Sequence, residues 1–307
     1  MSAAYLFPGQ GAQTPGFLHR LPEHPAVKQT LDEAAEALDT DVSTLDTAQA
    51  LLSTKNVQLS VLVAGVAVAR ALSYEGMQVE AAAGLSVGAF GAAVACGALG
   101  FADALALVKI RGECMEHAYP KGYGMAALGG LDERQVAAIL ERVGGAESQI
   151  YIANINAPTQ VVVSGADPAL DAAMKLARER GARRVERLAV NTPSHSPLLH
   201  TVSERLAAAM QTVEFHTPQV LYVSNRRARV VRDAAGVRED LILNVENVVR
   251  WHDSVTVLYE LGVRFFVEPP PGQVLMRLAQ EAFPMARAMA AEDVPIRSIV
   301  QAAQRSM

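Results

Sequence analysis

The chain has 307 residues, half of them apolar and 19% charged, with a formal net charge of −5. This composition excludes an intrinsically disordered chain and leaves enough apolar material for one large domain, alone or with a smaller companion. Lysine and arginine are scattered apart from a short cluster between Arg226 and Arg232, which argues against the basic face a nucleic-acid binder presents to phosphates.

Short apolar runs alternate with amphipathic helices along the chain, the pattern of an α/β protein. Ala3–Phe7 reads as a first strand, followed by the loop Pro8-Gly9-Gln10-Gly11-Ala12-Gln13. Helices are predicted over Ala26–Leu38 and Val57–Tyr74, and Val79–Leu85 reads as a strand of small residues that ends at Ser86. One helix is then predicted through Ala98 and another over Ala102–His117. Cys96 and Cys114 fall in these apolar stretches without CxxC spacing and read as buried, reduced thiols. The most apolar run, Val61–Ala69, is well short of the ~20 residues of a membrane span, and Met1–Ala4 has no basic n-region. A soluble, cytoplasmic protein is the expectation.

The middle of the chain changes rhythm. Gly124–Leu131 reads as a strand and Asp132–Val143 as a helix with Asp132 as its N-cap. Ile150–Asn154 and Gln160–Ser164 read as strands joined by an Asn-Ala-Pro turn, Pro168–Arg180 as a helix ended by Gly181, and Arg183–Val190 as a strand. The order β-α-β-β-α-β is that of a ferredoxin-like unit. A small domain over residues 122–188 is therefore expected, inserted in a large α/β domain built from 1–121 and 189–307. A helix over Leu198–Gln211, strands near Val220–Ser224 and at Val263–Glu268, and a helix over Gln273–Phe283 complete the prediction.

Gly84-Leu85-Ser86-Val87-Gly88 is a G-x-S-x-G sequence between a predicted strand and a predicted helix. Alone, the pattern is common and reads equally as a glycine-rich turn with a capping serine. In this context a sharp strand-to-helix turn would lift the Ser86 hydroxyl clear of the sheet, over a helix N-terminus that favours an oxyanion. A serine nucleophile needs a base. His195 sits in Asn191-Thr192-Pro193-Ser194-His195-Ser196-Pro197, a loop stiffened by proline on both sides, and His200, one turn later, is the alternative. Arg111 lies on a mostly apolar helix and reads as an arginine snorkelling at a helix end, or as a fixed guanidinium for a substrate carboxylate. Glycines on both sides of Gln10 would free its N–H to pair with that of Val87 as a two-donor oxyanion hole.

Taken together, these segments resemble the malonyl-CoA:acyl-carrier-protein transacylase family nearly end to end. The resemblance is carried by Tyr5–Gln13, Gly84–Gly88, Lys109–Gly112, Gly124–Ala127, Asn154–Pro158, Thr192–His195 and Glu268–Gln273, in the family's order. It implies an α/β-hydrolase-like core with a parallel sheet and an inserted ferredoxin-like domain. It also implies a Ser86–His195 dyad, Arg111 on the malonyl carboxylate, and Gln10 and Val87 around the oxyanion. Arg250 and Asn154 are implied as supporting residues, with a backbone carbonyl from Asn247–Trp251, near Arg250, orienting His195. No metal and no bound cofactor are implied; malonyl-CoA is the substrate and an acyl carrier protein the partner.

The family's usual elbow is Gly-His-Ser-Leu-Gly-Glu, whereas this chain has Leu85 for the histidine and Ala89 for the glutamate. With Asn225–Arg229, this resembles one branch, the epsilon subunit of malonate decarboxylase, which implies that decarboxylase's carrier subunit as acceptor. A serine esterase or thioesterase is the rival reading, but it needs an acidic partner for the histidine. Asp167 and Glu186 show no evident route to His195. A non-catalytic complex subunit is the other rival, and the presence of Ser86, His195 and Arg111 counts against it.

Overall fold

The computed structural model describes residues 2–306. In chain order, β1 (Ser2–Phe7), α1 (Pro25–Leu38), α2 (Thr54–Tyr74), β2 (Ala81–Gly84), α3 (Gly88–Ala95) and α4 (Phe101–Ala118) come first. Next are β3 (Tyr123–Gly129), α5 (Glu133–Arg142), β4 (Ile150–Ala157), β5 (Gln160–Ala166), α6 (Asp167–Glu179) and β6 (Arg184–Arg187). The last part holds α7 (His200–Ala209), β7 (Leu221–Val223), β8 (Val230–Val231), α8 (Ala234–Leu243) and α9 (Trp251–Glu260). It ends with β9 (Val263–Glu268), α10 (Val274–Ala282), β10 (Arg287–Ala290) and α11 (Ile296–Ser306).

The large sheet has the order β10-β9-β1-β2-β7-β8, and every pairing is parallel except β7 with β8. Both faces of a parallel sheet are buried, so its strands must be apolar on both sides. In β1, Ala3, Tyr5 and Phe7 face the core that contains α2, α3 and α4, while Ala4 and Leu6 face the one that contains α9 and α10. α2 is long and apolar enough, by length and composition, to cross a membrane, but 83% of its most apolar window is buried within the protein. That helix extends well past the Val61–Ala69 run because the apolar periodicity continues on both sides of it.

The second sheet is antiparallel with the order β4-β5-β3-β6, and α5 and α6 cover one face through Val136, Ile139, Leu140, Leu170, Ala173 and Ala177. Numbered within the unit, this is strand order 2-3-1-4, the ferredoxin-like arrangement that the β-α-β-β-α-β pattern predicts. Asp132 caps α5 in a reciprocal capping box with Gln135. A short backbone bridge joins this sheet to the segment before α9: Ile155 N–H donates to the Val249 carbonyl at 2.9 Å and Val249 N–H to that of Ala153 at 2.9 Å.

Several boundaries differ from the sequence prediction for local reasons. α3 stops at Ala95, not Ala98, because Gly97 takes a left-handed φ of 71° and Ala98 N–H closes back on Ala93. The hairpin turn is Pro158-Thr159, with Asn156 and Ala157 still in β4. β6 ends at Arg187, and Cys114 is half-buried where a buried thiol was expected. The prediction missed β8, α8, α9, β10 and α11. Gly236 inside α8, an uncapped start to α9 and the charged edge strand β10 weaken the patterns on which such a reading depends.

Candidate active site

Gly84 and Gly88 bracket the turn from β2 into α3, and both are sterically obligatory. A Cβ on Gly84 would stand 2.0 Å from the Gly88 carbonyl oxygen, and one on Gly88 would stand 2.3 Å from that of Phe7. Between them Ser86 adopts φ 57°, a left-handed conformation that costs a non-glycine residue roughly 1–2 kcal/mol. That strain turns its hydroxyl away from the sheet toward the loop after β6.

His195 meets it there. Its Nε2 lies 2.8 Å from Ser86 Oγ and its Nδ1 2.8 Å from the Asn244 carbonyl oxygen. A carbonyl can only accept, so Nδ1 carries the proton and Nε2 is left to accept from the serine hydroxyl. The His195 backbone is itself left-handed, at φ 60°, and its N–H is held by the Val245 carbonyl at 2.8 Å. Ser196 Oγ ties the loop to the Pro193 carbonyl at 2.7 Å. Burial, with the Arg111 charge second, lowers the ring's pKa to about 4 against the opposing backbone of Asn244 and Asn247. At neutral pH the ring is therefore an uncharged base. The alternative histidine, His200, is exposed and paired with Glu246 and Glu204, away from Ser86.

Arg111 is not the snorkelling arginine its helix position suggested. It is 1% exposed, and its guanidinium donates to Gln58 Oε1 at 2.7 Å and to Ser86 Oγ at 3.2 Å, while Nε has no partner. Burial pulls its pKa down to about 9, still above neutrality, so a cation with no acidic partner among the described residues stands beside Ser86.

The N–H groups of Gln10 and Val87 have no acceptor among the described residues. The loop carrying Gln10 presses on the elbow, since a Cβ on Gly9 would stand 2.8 Å from the Leu85 carbonyl oxygen. Gln10 and Leu85 line a cleft of about 590 Å³ together with Leu52, Val57, Asn156 and Val190. Ala89, in contrast, is fully buried in α3 and does not reach the cleft.

Two expectations need correction. The carbonyl that takes the hydrogen bond from His195 Nδ1 is that of Asn244, three residues before the expected segment, because a short helical turn at Asn244–Glu246 brings it under the ring. Of the expected segment, the Asn247 backbone also acts on the imidazole. Arg250 does not reach the dyad: its guanidinium pairs at the surface with Glu133 and Asp253, and only its backbone N–H points inward, to the Asn225 carbonyl. Asn154 is buried on β4 and makes no hydrogen bond to Ser86 or His195; its neighbours Ala153 and Ile155 bridge to Val249. Asp167 pairs with Arg187 and Glu186 with Arg184, so neither completes a hydrolase triad; among the described residues the Asn244 carbonyl takes the place of an acid at His195 Nδ1.

Sequence reasoning missed Asn225 and Asn244. Asn225 Oδ1 accepts the Ser86 N–H at 2.9 Å, and Asn244 Nδ2 donates to the Ser86 carbonyl at 3.1 Å. Nothing in the local pattern around either asparagine announces a contact with a residue 139 or 158 positions away.

Residues 4–306 match the acyl transferase domain family. The malonyl CoA-acyl carrier protein transacylase of Bacillus subtilis is 36% identical over 295 residues, covering 94% of this chain and 93% of that protein. Its namesake from Salmonella typhimurium is 36% identical over 284 residues, covering 90% and 91%. Among solved structures, the malonyl CoA-acyl carrier protein transacylase from Coxiella burnetii superposes with a TM-score of 0.93 at 32% identity, covering 99% and 98% of the two chains. A malonyl-transacylase solved in complex with its type II polyketide acyl-carrier protein superposes at 0.92 and 32% identity over the full length of both.

Proposed function

The chain belongs to the acyl transferase domain family, and from that premise we propose that it moves a malonyl group from malonyl-CoA to the thiol of an acyl carrier protein through an ester on Ser86. One observation carries the choice of acyl group: Arg111, a buried cation with no acidic partner, 3.2 Å from Ser86 Oγ. Leaving such a charge unpaired is costly, and a carboxylate at the far end of the acyl group would supply the missing partner.

The path for the substrates is the cleft between the large unit, residues 1–121 and 189–307, and the inserted unit, residues 122–188. Ser86 Oγ attacks the thioester carbonyl carbon as His195 Nε2 takes its proton. The oxyanion is received by the N–H groups of Val87 and Gln10. Collapse breaks the carbon–sulfur bond, and His195 returns the proton to the departing thiolate, leaving malonyl-Ser86 and free coenzyme A. A carrier thiol then repeats the steps in reverse. No cofactor takes part. The test is intact-mass measurement after mixing with malonyl-CoA: a malonyl adduct mapped to Ser86 supports the reading, and a persistently unmodified Ser86 overturns it.

Arg111→Ala is expected to lower malonyl transfer roughly ten- to a hundred-fold, the loss of one charge-assisted pair of about 1.5–3 kcal/mol. Acetyl transfer has no carboxylate to lose and should be spared, and Arg111→Lys should recover only part of the loss because it lacks the planar fork. Equal losses for both acyl groups would make Arg111 a structural residue.

We further propose that the acceptor is the carrier subunit of malonate decarboxylase. The support is the resemblance of the elbow and of Asn225–Arg229 to that branch, together with Leu85 on the cleft wall, where the family's histidine would be polar. Ala89 supports it by sequence alone, being buried away from the cleft. With both carriers at equal concentration and malonyl-CoA limiting, the decarboxylase carrier should be charged first; preference for a fatty-acid carrier would refute the assignment.

A further inference from the structure

Ser86 is strained, and strained backbone persists only where its surroundings over-determine it. The side-chain amide of Asn225 supplies much of that determination. Its Oδ1 accepts the Ser86 N–H at 2.9 Å and its Nδ2 donates to the carbonyl of Gly84, so one amide spans the two residues on either side of Leu85. β7 pairs with β2 only as far as Val223 opposite Ala83. Beyond it the chain turns away, and the Asn225 amide, with the same donor and acceptor as a peptide group, extends the ladder into the elbow.

Asn225 is itself held at every polar group. Its N–H donates to Asp240 Oδ2 at 3.2 Å, and its carbonyl accepts from Arg250 N–H at 2.9 Å. Asp240, buried on α8, also accepts from Tyr222 OH at 2.8 Å and from the Ser224 hydroxyl. The chain Asp240–Asn225–Ser86 thus runs from α8 to the nucleophile through buried, hydrogen-bonded groups.

We infer that Asn225 is a positioning residue for the acyl transfer: its side-chain amide, anchored by Asp240, clamps the elbow so that Ser86 Oγ stays within reach of His195 Nε2. This rests on Ser86 being the nucleophile. Without the clamp, Ser86 can relax toward ordinary backbone angles and carry its hydroxyl away from the ring. Both half-reactions slow, whereas carrier binding and the malonyl-to-acetyl preference, which depend on other groups, stay as they were.

The test uses Asn225→Ala and Asn225→Asp beside the wild type, with thermal melting as the fold control. Two rates are read: malonyl-Ser86 formation, and labelling of Ser86 by a fluorophosphonate, which needs a well-placed serine but no malonyl chemistry. Asn225→Ala should lower both about a hundred-fold, the scale of a displacement near 1 Å, with carrier KM unchanged. Asn225→Asp adds a signature that a purely structural role would not move. Ionised, its second oxygen faces the Gly84 carbonyl and repels it; protonated, it donates to that carbonyl and restores both halves of the clamp. Its rate relative to wild type should therefore rise as pH is lowered from about 8 to about 5. A folded Asn225→Ala protein labelled at the wild-type rate, or an Asn225→Asp deficit that is constant with pH, overturns the inference. Should Asn225→Ala fail to fold, the Asn225→Asp profile decides. Wild type that is labelled by the fluorophosphonate but never malonylated would sink the functional reading and leave the clamp standing.

Discussion

Ser86→Ala is expected to abolish the malonyl adduct and to lower carrier charging by more than about ten-thousand-fold, as removal of a nucleophile that acts with its base as a unit does. The hydroxyl oxygen is the only heavy atom lost. Ser86 is 8% exposed, and alanine tolerates the φ of 57° about as poorly as serine, so the backbone strain is unchanged. His195 Nε2 and the Arg111 guanidinium lose one partner each, in a site next to a cleft that water can enter. The melting temperature should therefore stay close to that of the wild type while intact mass shows no adduct. An adduct of normal yield on folded Ser86→Ala protein would assign the chemistry to another nucleophile.

His195→Ala should cost about a thousand-fold or more, because the serine hydroxyl then has no base and the departing thiolate no acid. The pH dependence is as informative as the size. The working form of the ring is the neutral one, so activity is present above its pKa and falls away below it. Burial, with the Arg111 charge second, lowers that pKa from 6.5 to about 4, which places the acid limb of kcat/KM near pH 4. Once a malonyl carboxylate sits on Arg111, that positive field is offset and the ring becomes easier to protonate. The acid limb of kcat, which reports the bound enzyme, should then lie at higher pH than that of kcat/KM. The depressed value also makes folding stability fall as pH drops below 6.5, with the loss complete once pH passes through about 4, because the unfolded chain binds the proton first. An acid limb of kcat/KM above 6.5, since Glu246 raises the pKa of His200, with His200→Ala inactive and His195→Ala active, would transfer the base to the exposed histidine.

The elbow was legible in the sequence because its cause is local. A strand that runs straight into a helix within a few residues forces Gly84 to be glycine, because its Cβ would strike Gly88 and Ala89, whereas Gly88 is kept glycine by a tertiary contact with Phe7 and Pro8 at the end of β1. The ferredoxin-like unit was legible for a similar reason: strand and helix periodicities, the Asp132–Gln135 cap and the Gly181 stop act over a few residues each. The later helices and the edge strand were not, since α8 and α9 gain their stability from burial of a few residues such as Val237, Leu241 and Trp251 rather than from a strong periodic pattern.

The sequence by itself also determined the candidate side chains for the proposed chemistry, one serine in an elbow, a histidine in a stiff loop and an arginine on an apolar helix. Their arrangement was decided only by tertiary structure. His195 and His200 are near neighbours in sequence, but one is sealed against Ser86 and the other faces solvent beside Glu246. Arg111 became an unpaired buried cation because α2 and α4 pack together and place Gln58, not a carboxylate, against it. The Asn244 carbonyl under the imidazole and the Asn225 amide under the elbow come from 49 and 139 residues away from the groups they hold. Such contacts leave no periodicity or spacing in the chain, because a hydrogen bond constrains two atoms in space and says nothing about the number of residues between them.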